Sequence, residues 1–239
     1  MAGLCPLFKN RAVVNPRLVI LGFVALLAAG CGSGSKNAAS TASTTSAAPK
    51  PMAVTLFLVD QGMLRPQVRH VPPTQAVAGA ALAALGVTAP ITIAAGTATV
   101  DLAKASNELT AEIVYTLTQF ASVERVDVAG RTGLTRDDFA AYVPPILVES
   151  PATGAEVSRT FHVSGTASVF EATLVVQLVR AGTVLSKQTV TASEGAPARG
   201  SFDATFTAPP GDLTVAAFSP SAADGSPQHE VDVAVTVKP

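Results

Sequence analysis

The chain contains no tryptophan and two tyrosines, and aromatic residues make up 5% of its 239 positions. An aromatic ligand cage or a base-stacking platform is therefore not expected. Charged residues are 14% and the formal net charge is −1, with no long run of either sign. Nucleic-acid binders usually carry a basic face, so this balance argues against one. Cysteine occurs twice, as Cys5 and Cys31, both ahead of anything with a folding pattern. Neither a structural disulfide nor a zinc site fits that placement, because there is no Cys/His cluster at ligand spacing. His70, His162 and His229 are scattered and give no triad or metal signature. Gly-x-Ser-x-Gly, a phosphate loop and a dinucleotide fingerprint are all missing. The expectation is a chain with no catalytic residue, no cofactor and no metal, hence not an enzyme.

Long apolar runs are also missing. The longest, Leu18–Ala29, has 12 residues, against roughly 20 for a membrane-spanning helix. Lys9, Arg11 and Arg17 precede it, and small residues Ala28, Ala29 and Gly30 follow. A basic leader, a short apolar core and small residues form a signal-peptide layout over 1–30. Leu27-Ala28-Ala29-Gly30-Cys31 resembles the bacterial lipobox, with Ala28 where leucine is commonest. The resemblance implies cleavage after Gly30 and fatty acylation (palmitate among the candidate chains) of the Cys31 thiol. The alternatives are plain secretion or an uncleaved anchor. Each buried methylene contributes about 0.8 kcal/mol, and two or more acyl chains hold stably where one does not. Loss of the leader removes three cations and no acid, leaving 13 basic and 17 acidic side chains, a formal −4. Such a body has no electrostatic hold on anionic lipid, so the lipid must do the anchoring.

Residues 31–52 are Gly, Ser, Thr and Ala with almost nothing bulky. They cannot bury enough surface to offset their ordering entropy, so the stretch reads as a disordered tether. About 20 such residues reach roughly 25 Å.

What remains is rich in apolar residues, at 48% of the chain, and divides into two units. The first, 53–143, reads β-β-α-β-β-α-β, a small α+β domain. Ala53–Val59 and Leu64–Val71 are strands about a DQG turn, with Pro66 favouring an edge. Pro72–Gly86 is an Ala-rich helix, with Thr74 as N-cap and Gly86 as C-terminal cap. Leu109, Ile113, Leu117 and Phe120 form one stripe of a second helix, capped by Ser106 or Asn107. Val123, Val126 and Val128 form a strand closed at Ala129-Gly130. Thr135 and Asp138 can cap a short helical turn. "EIVYTLTQFASVERVDV", with "LFLVD", "LRPQVRHV" and "GTATVDL" in order, resembles the GerMN domain of sporulation and spore-germination proteins. The chain is shorter than that pattern between Leu85 and Ile91. Catalysis by the polar YTLTQF cluster would need a base and a nucleophile nearby. Packing of Tyr115 and local hydrogen bonding by the Thr and Gln residues is the simpler reading.

The second unit, 144–239, starts at Pro144-Pro145 and shows about seven strands with no convincing helix. It reads as an all-β immunoglobulin-like sandwich without the disulfide or tryptophan of antibody domains. Val231, Val233, Val235 and Val237 alternate onto one face, RAGT is a hairpin turn, and His162 faces solvent. "VSGTASVFEA", "SF" at 201–202 and "FSPSAADG" resemble the immunoglobulin-like domain of bacterial spore germination. Glu171, an acid in an apolar stretch, either binds a ligand or metal or accepts a backbone hydrogen bond at a strand bend.

These readings converge on a non-catalytic lipoprotein on the outer face of the cytoplasmic membrane. It would present two interaction modules to envelope or membrane proteins, or to wall polymer. Tyr115, Gln119 and Glu171 are the candidate interaction surface. The alternative is a small-ligand or glycan-binding lipoprotein serving a transporter or wall enzyme, which needs a real cleft. Cys31→Ser is expected to move the protein from the membrane fraction to the soluble fraction without lowering its melting temperature. A variant recovered still tightly membrane-bound would contradict lipid anchoring.

Overall fold

A computed structural model describes residues 50–239. Cys31, the leader and the tether up to residue 49 lie outside the described residues. Among those described, no helix is long and apolar enough to cross a membrane.

The first half opens with a hairpin of β1 (Met52–Asp60) and β2 (Met63–Val71), paired antiparallel from Met52↔Val71 to Asp60↔Met63. Gln61 and Gly62 both take positive φ, as a two-residue primed turn requires to match strand twist. Ala95-Gly96, Ala129-Gly130 and Ala181-Gly182 repeat that device at later hairpins. α1 (Val77–Ala84) begins after Ala76, not at Thr74. Thr74 accepts from the Ala76 N–H in a local turn and does not cap the helix. The other end is a Schellman motif: Val87 N–H donates to the Leu82 carbonyl and Gly86 N–H to Ala83, with Gly86 at φ +82°.

β3 (Ile91–Ala94), β4 (Thr97–Val100), β5 (Arg125–Val128) and β6 (Arg131–Leu134) form a four-stranded sheet in that order. β4 and β5 are parallel, so a crossover is required between them, and α2 (Asn107–Leu117) supplies it. The Ser106 hydroxyl accepts from Leu109 N–H, and Glu108 lies in the positive first turn. α2 packs against β1, β5 and α1. Ile113, Val114 and Leu117 are fully buried, so burial overrides the low helix propensity of Thr110 and Thr116.

The polar positions of α2 have a structural task. β1 is paired with β2 on one side only, and its other edge meets the helix. Val59 N–H donates to Glu112 Oε1 at 2.8 Å, Phe57 N–H to Thr116 Oγ1 at 3.0 Å, and Gln119 Nε2 to the Thr55 carbonyl at 2.8 Å. Residues 112 and 116 share a helix face, and Gln119 follows two positions past the helix end. They close an edge that would otherwise leave buried backbone groups unpaired.

The second half is a sandwich of two sheets. One has the order β11 (Thr183–Thr191), β10 (Thr173–Arg180), β13 (Gly211–Pro220), β14 (Pro227–Val237), β8 (Ala155–Val157). The other has the order β12 (Gly200–Thr207), β9 (Thr160–Ala167), β7 (Ile146–Ser150). Phe161, Phe202, Phe206, Leu174, Leu178, Val215, Val233 and Val235 fill the space between them. The architecture is thus an α+β module followed by an immunoglobulin-like sandwich, as the alternation pattern implied. β6 and β8 were not anticipated.

β7 belongs to both halves. Ile146 and Val148 point into the sandwich core, while Leu147 is buried in the first module's core. Successive residues of a strand face opposite sides, so one short strand serves both. The loop after it adds backbone bonds: Thr153 N–H donates to the Pro66 carbonyl at 3.0 Å, and Val68 N–H donates to the Thr153 carbonyl at 2.9 Å. Gly154 N–H then bonds the Ala234 carbonyl of β14. Pro66 stands on the outer edge of β2, and lacking an N–H it offers only its carbonyl.

Burial raises the Glu112 carboxyl above its ordinary value of 4.5; the Val59 bond opposes this and Glu108 adds to it. The fold therefore holds the Glu112 proton more tightly than the unfolded chain does. Stability falls as pH rises from the ordinary value through the folded one. Glu112→Gln keeps an acceptor for Val59 and removes the charge. Its melting temperature at pH 7 should equal or exceed that of the parent, with any gain vanishing below pH 4.5. A gain that persists at low pH would reject this assignment.

Candidate functional site

The most developed polar site lies where the two modules meet, and Arg136 is its centre. The 3-10 turn Arg136–Tyr142 starts with a full capping box, Thr135 and Asp138 bonding each other's backbone, which fixes Arg136 at the first position of the turn. The guanidinium Nη1 meets Glu149 Oε2 at 2.8 Å, and Nε donates to Thr118 Oγ1 at 2.8 Å. Its carbon lies 4.8 Å from the Tyr115 ring centroid and 5.4 Å from that of Phe57. One side chain thereby joins α2, β1 and the sandwich through an ion pair, a hydrogen bond and two cation–π contacts.

Glu149 reaches Arg136 because β7 is irregular there. Val148 pairs with Gly165 and Ser150 with Ser164, leaving Glu149 as the extra residue of a bulge. A Cβ at Gly165 would collide with the Leu147 carbonyl. Glycine on β9 thus permits the close approach at this bulge.

Beside this hub lies an open cleft of about 930 Å³. Gln119, Glu124, Arg136, Asp137, Glu149 and Glu156 supply its charged and amide groups. Lys238 pairs with Glu156 at 3.0 Å and holds that carboxyl below its usual range. A smaller cavity of about 310 Å³ adjoins through Arg136 and Asp137, with Tyr115, Ser168 and Arg199 on its walls. Burial pushes the Tyr115 phenol up, and Arg136 and Arg199 partly oppose this. The hydroxyl donates to the Arg136 carbonyl at 3.4 Å.

The three residues expected to form one interaction surface do not do so. Tyr115 is 5% exposed and packs on Phe57. It is a wall residue and not a docking residue, because α2 is covered on several sides. Gln119 borders the cleft, but its amide is engaged by the Thr55 and Thr116 carbonyls. Glu171 is exposed in a turn before β10 at φ +52° and lines neither cavity. Its own carbonyl accepts from Thr173 Oγ1, so the backbone bond at this bend does not involve its carboxylate. His162 is exposed as expected and sits 3.0 Å from Asp203. Among the described residues no group of His, Cys, Asp and Glu could hold a metal ion. Arg136, Glu149 and Arg199 escaped the sequence reading. The capping box gave the place of Arg136, but nothing local gave its partners.

Arg136→Lys should lower stability by about 1–3 kcal/mol in urea denaturation, since lysine cannot bond Thr118 and Glu149 while stacking on two rings. In a double-mutant cycle with Glu149→Gln the coupling should be about 1 kcal/mol, because both side chains keep about a quarter of their exposure (28% and 24%). Additive single effects would remove the pair as a link between the modules.

Comparison with known proteins bears on the second half most directly. No curated protein sequence matches the chain. The tandem GerMN domains of the sporulation protein GerM from Bacillus subtilis align at 16% identity over 78% of this chain and 60% of theirs, with a TM-score of 0.32. The crystal structure of an engineered protein aligns at 20% identity over 50% of this chain and 23% of that one, with a TM-score of 0.31. The chain thus spans less than two thirds of either structure. Residues 145–226, which hold all but the last strand of the sandwich, match the family described as the immunoglobulin-like domain of bacterial spore germination.

Proposed function

We propose that the chain is a non-catalytic envelope lipoprotein. It presents two joined protein-interaction modules on the outer face of the cytoplasmic membrane, in sporulation, germination or another envelope process. Cys31 would carry the lipid, and the Ser/Thr/Ala-rich stretch after it would carry the modules away from the bilayer. The lipobox-like Leu27–Cys31 and the family match at 145–226 support this reading. The observation that carries the docking role is β11. It is the outer strand of its sheet, and Val184 and Leu185 are 49% and 42% exposed on it. Apolar side chains on an outer strand suit strand addition or side-on docking by another protein.

The junction cleft favours a second reading, a lipoprotein that binds a small ligand or glycan for a transporter or wall enzyme. Its volume, about 930 Å³, falls within the range of small-molecule sites. In-cell crosslinking of the tagged chain with Cys31 intact, followed by mass spectrometry, separates the two. A specific membrane or secreted protein is expected, lost when the tether is cut. Capture of wall fragments or small molecules without a protein would favour the second reading.

A further inference from the structure

Arg199 is half-buried and has no ion-pair partner among the described residues. It lies in the loop before β12. Its Nη2 donates to the Pro144 carbonyl at 2.7 Å and its Nη1 to Thr166 Oγ1 at 3.2 Å. Both acceptors are neutral. A guanidinium has five N–H groups, so these bonds hold it in place and leave donors over. Burial draws its pKa below the ordinary arginine value, with Tyr115 and Glu149 opposing. Holding a cation partly out of water without a counterion costs free energy.

The surroundings do not supply that counterion. Glu149 is already engaged by Arg136 at 2.8 Å. Asp137 borders the 310 Å³ cavity but is exposed. Of the charged side chains that line the cavity, Arg136 is matched by Glu149 from outside it, and Asp137 makes no ion pair with Arg199, so the spare guanidinium donors are those of Arg199. Tyr115 and Ser168 add hydroxyls, while Ala140, Val143 and Pro197 add apolar surface. A monoanion with a short apolar stem matches this combination better than a phosphate dianion. The volume is at the low end for ligand sites, enough for one or two residues and not for a folded partner.

We propose that this cavity binds the carboxylate end of a peptide chain, with Arg199 as the anion anchor. Ala140, Val143 and Pro197 contact the terminal side chains. The site does not depend on the lipid anchor. It serves either functional reading, because a protein C-terminus and a wall peptide both end in this group.

The test is calorimetric titration of the full chain in detergent. The probes are acetyl-L-alanyl-L-alanine, acetyl-D-alanyl-D-alanine, the C-terminal amide of each, and inorganic phosphate. At least one acid should bind, with its amide weaker by about tenfold or more, the size expected for losing a charge-assisted bond. Preference for the L series points to a protein chain end, and preference for the D series to a wall peptide. Arg199→Met should weaken the acid by a similar factor. Because Arg199 also braces Pro144, Ala140→Phe is the second variant. Ala140 is exposed, so this change obstructs the cavity mouth without touching a buried contact. It should abolish binding at an unchanged melting temperature. Binding of neither acid, equal binding of acid and amide, phosphate binding as tight as the acid, or undiminished binding by Ala140→Phe would each overturn the proposal.

Discussion

Ile146–Ser150 is a strand of five residues with apolar side chains on both faces, and neither half of the fold is complete without it. Ile146 and Val148 close one side of the sandwich, and Leu147 closes the first module. A surface strand would carry polar residues on its outer face. This one cannot, because its outer face is another module's interior. Glu149 follows in the bulge and turns a carboxylate toward Arg136. Apolar burial and a charged contact thus act at adjacent positions of one strand. The described residues belong to a single compact unit, and this strand is the main physical reason.

The first module shows how a small domain handles an open strand edge. β1 has one strand neighbour, and Glu112 and Thr116 of α2 with Gln119 just past its end stand in for the other. The arrangement needs acceptors at helix positions 112 and 116 and a donor at 119 just beyond, which is why polar residues interrupt an otherwise apolar helix. It also carries a cost, visible in the raised Glu112 carboxyl. The polar cluster of this segment, which in isolation could suggest chemistry, is used up in architecture. Tyr115 follows the same logic. Its ring fills space beside Phe57, and its hydroxyl reaches the Arg136 carbonyl.

At the junction the charges are unevenly distributed. Arg136 is satisfied by an ion pair, a hydroxyl and two rings. Arg199, bordering the same small cavity, has only neutral acceptors. Two arginines within one site thereby have different roles. The first holds the modules together, and the second keeps donors free for something else.

Much of this was legible locally. Val231 to Val237 alternate, and the strand they form buries Val233, Val235 and Val237. RAGT lies between Thr173–Arg180 and Thr183–Thr191, the two strands expected there. Ser106 and the Thr135–Asp138 box cap their helices as the side chains allow. These features depend on neighbours within a few residues, so periodicity and hydrogen-bonding capacity suffice to determine them. α1 starts at Val77 and not directly after Thr74, because the Thr74 hydroxyl is taken by its own local turn. The partners of Glu112, Glu149 and Arg199 lie 53, 13 and 55 residues away. Which face of Leu147 is buried depends on a neighbouring module and not on its own strand. Such pairings depend on how surfaces meet in three dimensions, and one chain read in order carries no signal for that. Composition and spacing therefore settled the two fold classes and most of the strands, while packing alone decided which polar groups are spent on structure and which remain free.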